Sequence, residues 1–278
     1  MDDALRPSPA EANAAWAARV REDRLQVARF REEPERADFY APIVANFKAD
    51  PRRENDPVLN VLRGLVEPGE SWMDIGAGGG RLGLGIALLA GELIAVEPSD
   101  GMLGVLRESM SEYGVSNVRI LQGRWPMADA PKADVSFIAN VGNDIEEFGA
   151  FLDAMEDSAE RLCVAVQPSR PPASYAYPFW PAVHGVERVA LPCLPELLAM
   201  LLARKRVFEV RLLPRPAMSF EHFDHAHRMM RMETWVKPGS EKDERLRAAL
   251  ESKLTEREGR WALDWAPGEI GVVSWSPR

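Results

Sequence analysis

The chain has 278 residues, of which 46% are hydrophobic, 28% charged and 8% aromatic, the balance of a globular protein and not of a disordered or fibrous one. Forty-three acidic against 34 basic residues give a formal charge of −9, which repels a phosphate backbone and argues against a nucleic-acid partner. No apolar run approaches the roughly 18 residues of a membrane span, and two cysteines, Cys163 and Cys193, make neither a disulfide framework nor a Cys-rich zinc site.

The first residues, MDDALRPSPAEANAAW, carry acidic side chains and no apolar h-region, so they do not read as a secretory signal and the expected compartment is the cytoplasm. Residues 11–50 read as helical, with apolar positions at Trp16, Val20, Val27 and Phe30 and then at Phe39, Tyr40, Ile43, Val44 and Phe47. Pro34 splits this run into two helices. A polar link over 49–57 leads into a short helix at 58–66, which stops at Glu67-Pro68-Gly69.

From Ser71 to Gln167 short apolar runs alternate with amphipathic segments of helical length, the pattern of a parallel sheet with helices on both faces. Strands are predicted at 71–75, 93–97, 117–121, 134–140 and 162–167, and helices at 80–90, 100–112 and 145–160. The stretch PSRPPASYAYPFWPAVHG, 168–185, reads as a long irregular loop. A helix (195–206) and a sixth strand (207–213) follow, then a run over 220–258 that reads as wholly helical, and a last strand at 270–275. This organisation predicts one α/β unit instead of two domains: a helical leader or lid (1–57), an α/β core (58–219), a helical insertion (220–260) and a final segment completing the sheet (261–278).

The most informative stretch is SWMDIGAGGGRLG, 71–83. Glycines after a strand permit positive φ and let the main chain approach a ligand without a Cβ in the way, and the helix that follows offers free N–H groups to an anion. Gly78-x-Gly80-x-x-Gly83, with Glu97 near the expected offset, matches the dinucleotide fingerprint in form. A bare strand-to-helix turn fits the same glycines. Asp74, two residues before the first glycine, suits a cationic ligand better than a pyrophosphate, and the loop follows a long helical leader instead of opening the chain.

At these residues the chain resembles the class I S-adenosylmethionine-dependent methyltransferase family: DIGAGGG looks like its first motif, Glu97 like the acid after its second strand, and ADVSFIANVGND (133–144) like its fourth-strand motif. The likeness covers roughly 58–213 and the last strand. It implies a Rossmann-like, seven-stranded, mostly parallel sheet with helices on both faces and the last strand antiparallel, S-adenosyl-L-methionine as cofactor of the core over 58–219, and an acceptor cap as the role of the insertion over 220–260. Carried over residue by residue, it places Asp74, Gly76, Ala77, Gly78 and Gly80 around the methionine moiety, Glu97 with Pro98 at the ribose, and Met102 as an apolar wall near the adenine. Asn140 and Val141, with Gly142, fall beneath the methyl end. The third-strand position departs from the pattern, because Gln122-Gly123-Arg124-Trp125-Pro126 stands where many members have an acid and an arginine cannot accept the adenine amino proton. Backbone groups at Gly123, Arg124 or Trp125 are the expected substitutes, with Trp125 either stacking or simply packing.

The expected acceptor is a small molecule, with neither nucleic acid nor membrane as partner, and the pocket is expected from Tyr175, Tyr177, Phe179, Trp180, His184, Glu187 and Arg188. His184 is the candidate base; capping a turn is its alternative. His222, Asp224, His225 and His227 match no zinc spacing, so no metal is expected. Three further readings stay open: an NAD(P)-dependent oxidoreductase, a non-catalytic binding protein of the same fold, and homodimer packing through the helical segments.

Overall fold

A computed structural model describes residues 7–34, 44, 47–215, 217–263, 265 and 268–277. Phe39, Tyr40 and Ile43, assigned above to a second leader helix, lie outside the described residues.

Helix α1 (Pro9–Phe30) starts where Ser8 Oγ accepts from the Glu11 N–H and the Glu11 carboxylate accepts from the Ser8 N–H, a reciprocal cap with Pro9 preset for the first turn. Ala12, Trp16, Val20 and Val27 are its buried stripe. Trp16 stacks on Phe148 with ring centroids 4.3 Å apart and donates its indole N–H to the Ile145 carbonyl, which fixes the leader to the core at two kinds of contact. Helix α2 (Pro57–Arg63) is capped by Asp56 and precedes strand β1 (Ser71–Ile75).

The sheet continues through β2 (Glu92–Glu97), β3 (Val118–Gln122), β4 (Ala133–Ala139), β5 (Ala159–Pro168), β6 (Phe208–Pro214) and, last in the chain, β10 (Glu269–Trp275). Its seven strands lie in the order β3-β2-β1-β4-β5-β10-β6. Neighbours from β3 to β5 are parallel, whereas β10 runs antiparallel to both β5 and β6. The connections between β1 and β5 are α3 (Gly83–Ala87), α4 (Asp100–Tyr113) and α5 (Phe148–Ser158), and α7 (Leu194–Ala203) leads into β6.

Alternation along the strands feeds two cores. Met73, Ile75, Ile94 and Val96 face α1, α5 and α7 through Trp16, Phe148, Met155, Leu197 and Met200. Trp72, Leu93, Phe137 and Val164 face the other way, onto α2, α3 and α4 through Leu62, Leu84, Leu103 and Leu106. Each such fully buried apolar side chain contributes about 1.5–3 kcal/mol. Asp74 alternates with Met73 and so lies on the α3 side, a polar group on an apolar face.

Three parts of the chain depart from the sequence reading. The helix expected at 80–90 shrinks to Gly83–Ala87, because Gly80 at φ +80° cannot enter a helix. The stretch read as irregular is a 3-10 helix (Pro172–Phe179) running into α6 (Trp180–His184); its prolines fix φ near the helical value and Gly185 ends it at φ +75°. The segment read as wholly helical contains β7 (Ser219–Phe220), α8 (Phe223–Glu233), α9 (Glu241–Lys253), β8 (Leu254–Arg257) and β9 (Arg260–Leu263). Its strands form a second sheet in the order β7-β9-β8. Glu258 and Gly259, at φ +51° and +74°, make the tight two-residue turn of that hairpin. This cap has its own core of Phe179, Val183, Phe220, Met230, Leu246, Leu250 and Leu263.

Candidate functional site

The order of the sheet reverses between β1 and β4, and the crevice outside the carboxyl ends of those strands is where open α/β sheets take ligands. The glycine loop stands at that point. Gly76 and Ala77 both donate to the Val96 carbonyl, at 2.8 and 3.0 Å, so the loop curls over the end of β2. Gly78 at φ +54° has nothing nearer to an added Cβ than Met102 Sδ at 3.9 Å, which leaves an open concave face of main chain. Gly80 at φ +80° is the opposite case: a Cβ there would stand 2.6 Å from Leu106 Cδ1, so the residue must be small to seat the loop on α4. From the leader, the Phe47 carbonyl comes within 3.1 Å of a Cβ built on Gly79, placing that part of the chain over the loop.

Glu97, 7% exposed at the end of β2, accepts from the Gly78 N–H at 2.9 Å and from the Ser99 N–H at 2.8 Å, one bond to each oxygen. A carboxylate has about four acceptor sites, so each oxygen keeps capacity for a ligand hydroxyl. Ser99 Oγ in turn accepts from the Met102 N–H and starts α4. Met102 is buried beneath Gly78, and Pro98 is exposed beside Glu97.

Asp74 is 3% exposed with Oδ2 pressed against Gly83, and among the described residues nothing hydrogen-bonds to it. Burial, and secondarily the charge of Glu97, pushes its carboxyl up to about 8. It lies under the loop, not on its open face.

On the other side of the crevice Asn140 takes φ +55° and donates its N–H to the Val166 carbonyl. Val141 Cγ2 would meet a Cβ on Gly76 at 2.6 Å, so the two loops touch. Gln167, wholly buried, donates to the Val141 carbonyl at 2.5 Å, and Asn143 donates to the Pro192 carbonyl at 2.6 Å. These two amides fix the floor of the crevice to the segment before α7.

After β3, the Gly123 N–H donates to the Glu97 carbonyl at 3.2 Å and Arg124 is exposed. Trp125 is turned toward α5, with its indole N–H on the Phe151 carbonyl at 3.3 Å and its ring at 6.4 Å from Phe151. Of the two readings offered for it, packing is the one these contacts carry.

The expected acceptor residues divide. Phe179 and Trp180 are fully buried in packing, and Glu187 is exposed. His184 Nε2 is 2.8 Å from the Thr234 carbonyl and its ring packs on Trp180 and Phe30, at 4.4 and 5.3 Å. A carbonyl can only accept, so Nε2 carries the proton, and burial lowers the pKa of the ring. These contacts tie α1, α6 and the turn after α8 together, while Nδ1 is buried without a partner among the described residues.

Tyr175, Tyr177 and Arg188 are brought together, and with them a residue the sequence reading missed. Tyr175 donates its hydroxyl to Glu233 Oε1 at 3.0 Å, and burial raises the Glu233 carboxyl to about 6. Arg188 pairs with Asp23 at 2.5 Å, donates to Gln26 Oε1 at 2.8 Å and covers the Trp180 ring at 4.5 Å. Glu233 follows Ala226 and Met230 on the buried stripe of α8. A carboxylate on an apolar stripe was the signal available for it.

No protein-family profile matches the chain. An uncharacterized protein of Haemophilus influenzae is 25% identical over 120 residues, a stretch that covers 42% of this chain and 41% of that protein. Among solved structures, a Bacillus halodurans protein described as a candidate methyltransferase superposes with TM-score 0.57 at 17% identity, over 79% of this chain and 99% of that one. The YcgJ protein of Bacillus subtilis gives TM-score 0.53 at 15% identity, over 79% and 98%. The chain therefore has the Rossmann-like fold implied by the family resemblance, including the antiparallel last strand.

Proposed function

We propose that this protein is an S-adenosyl-L-methionine-dependent methyltransferase that moves a methyl group in line onto a small-molecule acceptor. The observation that supports this most is the glycine loop: an open main-chain cradle at Gly78, at the switch point of the sheet, tied by its own N–H to the Glu97 carboxylate. The strand order supports it further. A dinucleotide-binding sheet runs 3-2-1-4-5-6 in parallel, whereas here an antiparallel strand lies between the fifth and sixth.

The residues present fit the cofactor. The remaining lone pairs of Glu97 suit a ribose diol, Gly78 leaves room for the methionine part beside the Gly76–Val141 contact, and Met102 and Pro98 offer apolar surface for the adenine. Gly123 and Arg124 lie next to Glu97 through the Gly123 N–H. When bound, the cofactor supplies a methyl group activated by a sulfonium sulfur. The chain's own work is to hold and align. Asp74 places a buried acid under the loop, Val141 and Asn140 form the opposite wall, and Gln167 and Asn143 hold that wall still. The leader at Phe47 and the cap over 219–263 are assigned to closing the site from water.

Thermal unfolding with S-adenosylhomocysteine and, separately, NADH tests this reading. A rise in Tm with S-adenosylhomocysteine is expected. Stabilisation by NADH alone would reject it.

A further inference from the structure

The group left over by this reading is Glu233. It ends α8 on the side of the 3-10 helix that follows β5, and β5 ends at the same edge of the sheet as the glycine loop. The connection to the crevice is continuous: Val141 touches Gly76, Asn143 is bonded to Pro192, and the hydroxyl of Tyr177 meets the backbone of the adjoining Leu191. Glu233 has Tyr175 on Oε1, and among the described residues no cation lies within ion-pair distance of it. Arg188, whose charge acts on Glu233, is held by Asp23 at 2.5 Å and lies over the Tyr177 ring at 5.7 Å. Arg215, the other guanidinium near Tyr175, is spent on the backbone carbonyls of Arg170 and Pro172. Glu233 is only partly covered, and its second carboxylate oxygen, without a partner among the described residues, keeps contact with solvent beside Tyr175.

We propose that Glu233, flanked by Tyr175 and Tyr177, is the point at which the acceptor is recognised through an amine. A carboxylate accepts and cannot donate, so it selects an N–H-bearing group and repels an anion. A protonated amine donates to the oxygen that Tyr175 leaves free and meets the opposite charge in the same contact. The carboxyl is mostly ionised at neutral pH even after burial has raised it to about 6. Glu233→Gln keeps the acceptor oxygen for Tyr175 and removes only the charge, so the cap retains its packing.

The proposal rests on the methyltransferase reading only in calling the ligand an acceptor. Its test uses 2-phenylethylamine and 3-phenylpropionate as matched probes in ligand-observed NMR on the full chain, with and without S-adenosylhomocysteine. The amine is expected to bind at least tenfold tighter than the acid, and Glu233→Gln to remove at least that preference while Tyr175→Phe keeps it. Equal binding of the two probes, an amine affinity unchanged in Glu233→Gln, or no amine binding at millimolar concentration would overturn it. Failure of S-adenosylhomocysteine to bind counts against the methyltransferase reading and leaves the amine result to be judged by itself.

Discussion

The glycine loop and the cap are built by opposite means. The loop closes within a short stretch: Gly76 and Ala77 on Val96, Gly78 on Glu97, Glu97 on Ser99, Ser99 on Met102. The cap closes over long separations, with Tyr175 on Glu233, His184 on Thr234, Asp23 on Arg188 and Glu32 on Lys237. Groups that partner locally leave a spacing in the sequence, and groups that partner across 50 residues or more leave none. A cradle made of main chain also tolerates little change of residue type, whereas an acceptor pocket made of side chains is free to vary.

The largest expected effect belongs to the loop side. Asp74 has an ordinary value of 3.8 in the unfolded chain and about 8 in the fold, so the folded protein keeps a proton that the unfolded chain gives up. Its contribution is complete below pH 3.8 and is lost as pH rises through about 8. Asp74→Asn carries no such loss. Urea unfolding from pH 5.5 to 8 is expected to show the variant gaining roughly 3 kcal/mol on the wild type, at ~1.4 kcal/mol per pH unit until the slope falls off near the folded value; a difference that stays flat with pH means the acid is not buried under the loop.

In the cap, Arg188→Met strands Asp23, whose carboxyl burial already raises despite the guanidinium beside it. Chemical denaturation should show a loss of about 2–3 kcal/mol, since breaking a buried pair leaves one charge uncompensated. No loss would mean that the long-range contact contributes nothing and that the contrast between the two regions fails. Gly80→Ala meets both positive φ and Leu106, and about 2 kcal/mol of destabilisation is expected from strain at such a site. Gly78→Ala, with open space above it, should cost less stability while weakening the cofactor more; the reverse order in the two measurements would misplace the cradle.

The same contrast explains what could be read in advance. Strands β1 to β6 and β10 are legible because short apolar runs are bounded by turn residues, and Glu97 is legible because it follows the loop at a fixed offset. The hairpin β8–β9 went unread because its residues, TEREGRWAL, continue the charged composition of α9, and only Glu258-Gly259 marks the turn. Proline in 171–181 signals a break in isolation, yet here it starts helical turns. His184 stands out in the sequence for its titration range, a property of the residue type, while its partner, the Thr234 carbonyl, has no side-chain signature. Glu233 shows in the sequence only as a carboxylate on the apolar stripe of α8, and its bond to Tyr175, 58 residues away, leaves no spacing to read.

The central claim is that Glu97 completes a cofactor cradle on the glycine loop, and calorimetric titration of S-adenosylhomocysteine into the wild type and Glu97→Ala tests it most directly. The account requires binding by the wild type and at least tenfold weaker binding by the variant, about 1.4 kcal/mol, with the sheet still folded by circular dichroism. Equal affinity in the two proteins, or no binding by the wild type, would contradict it.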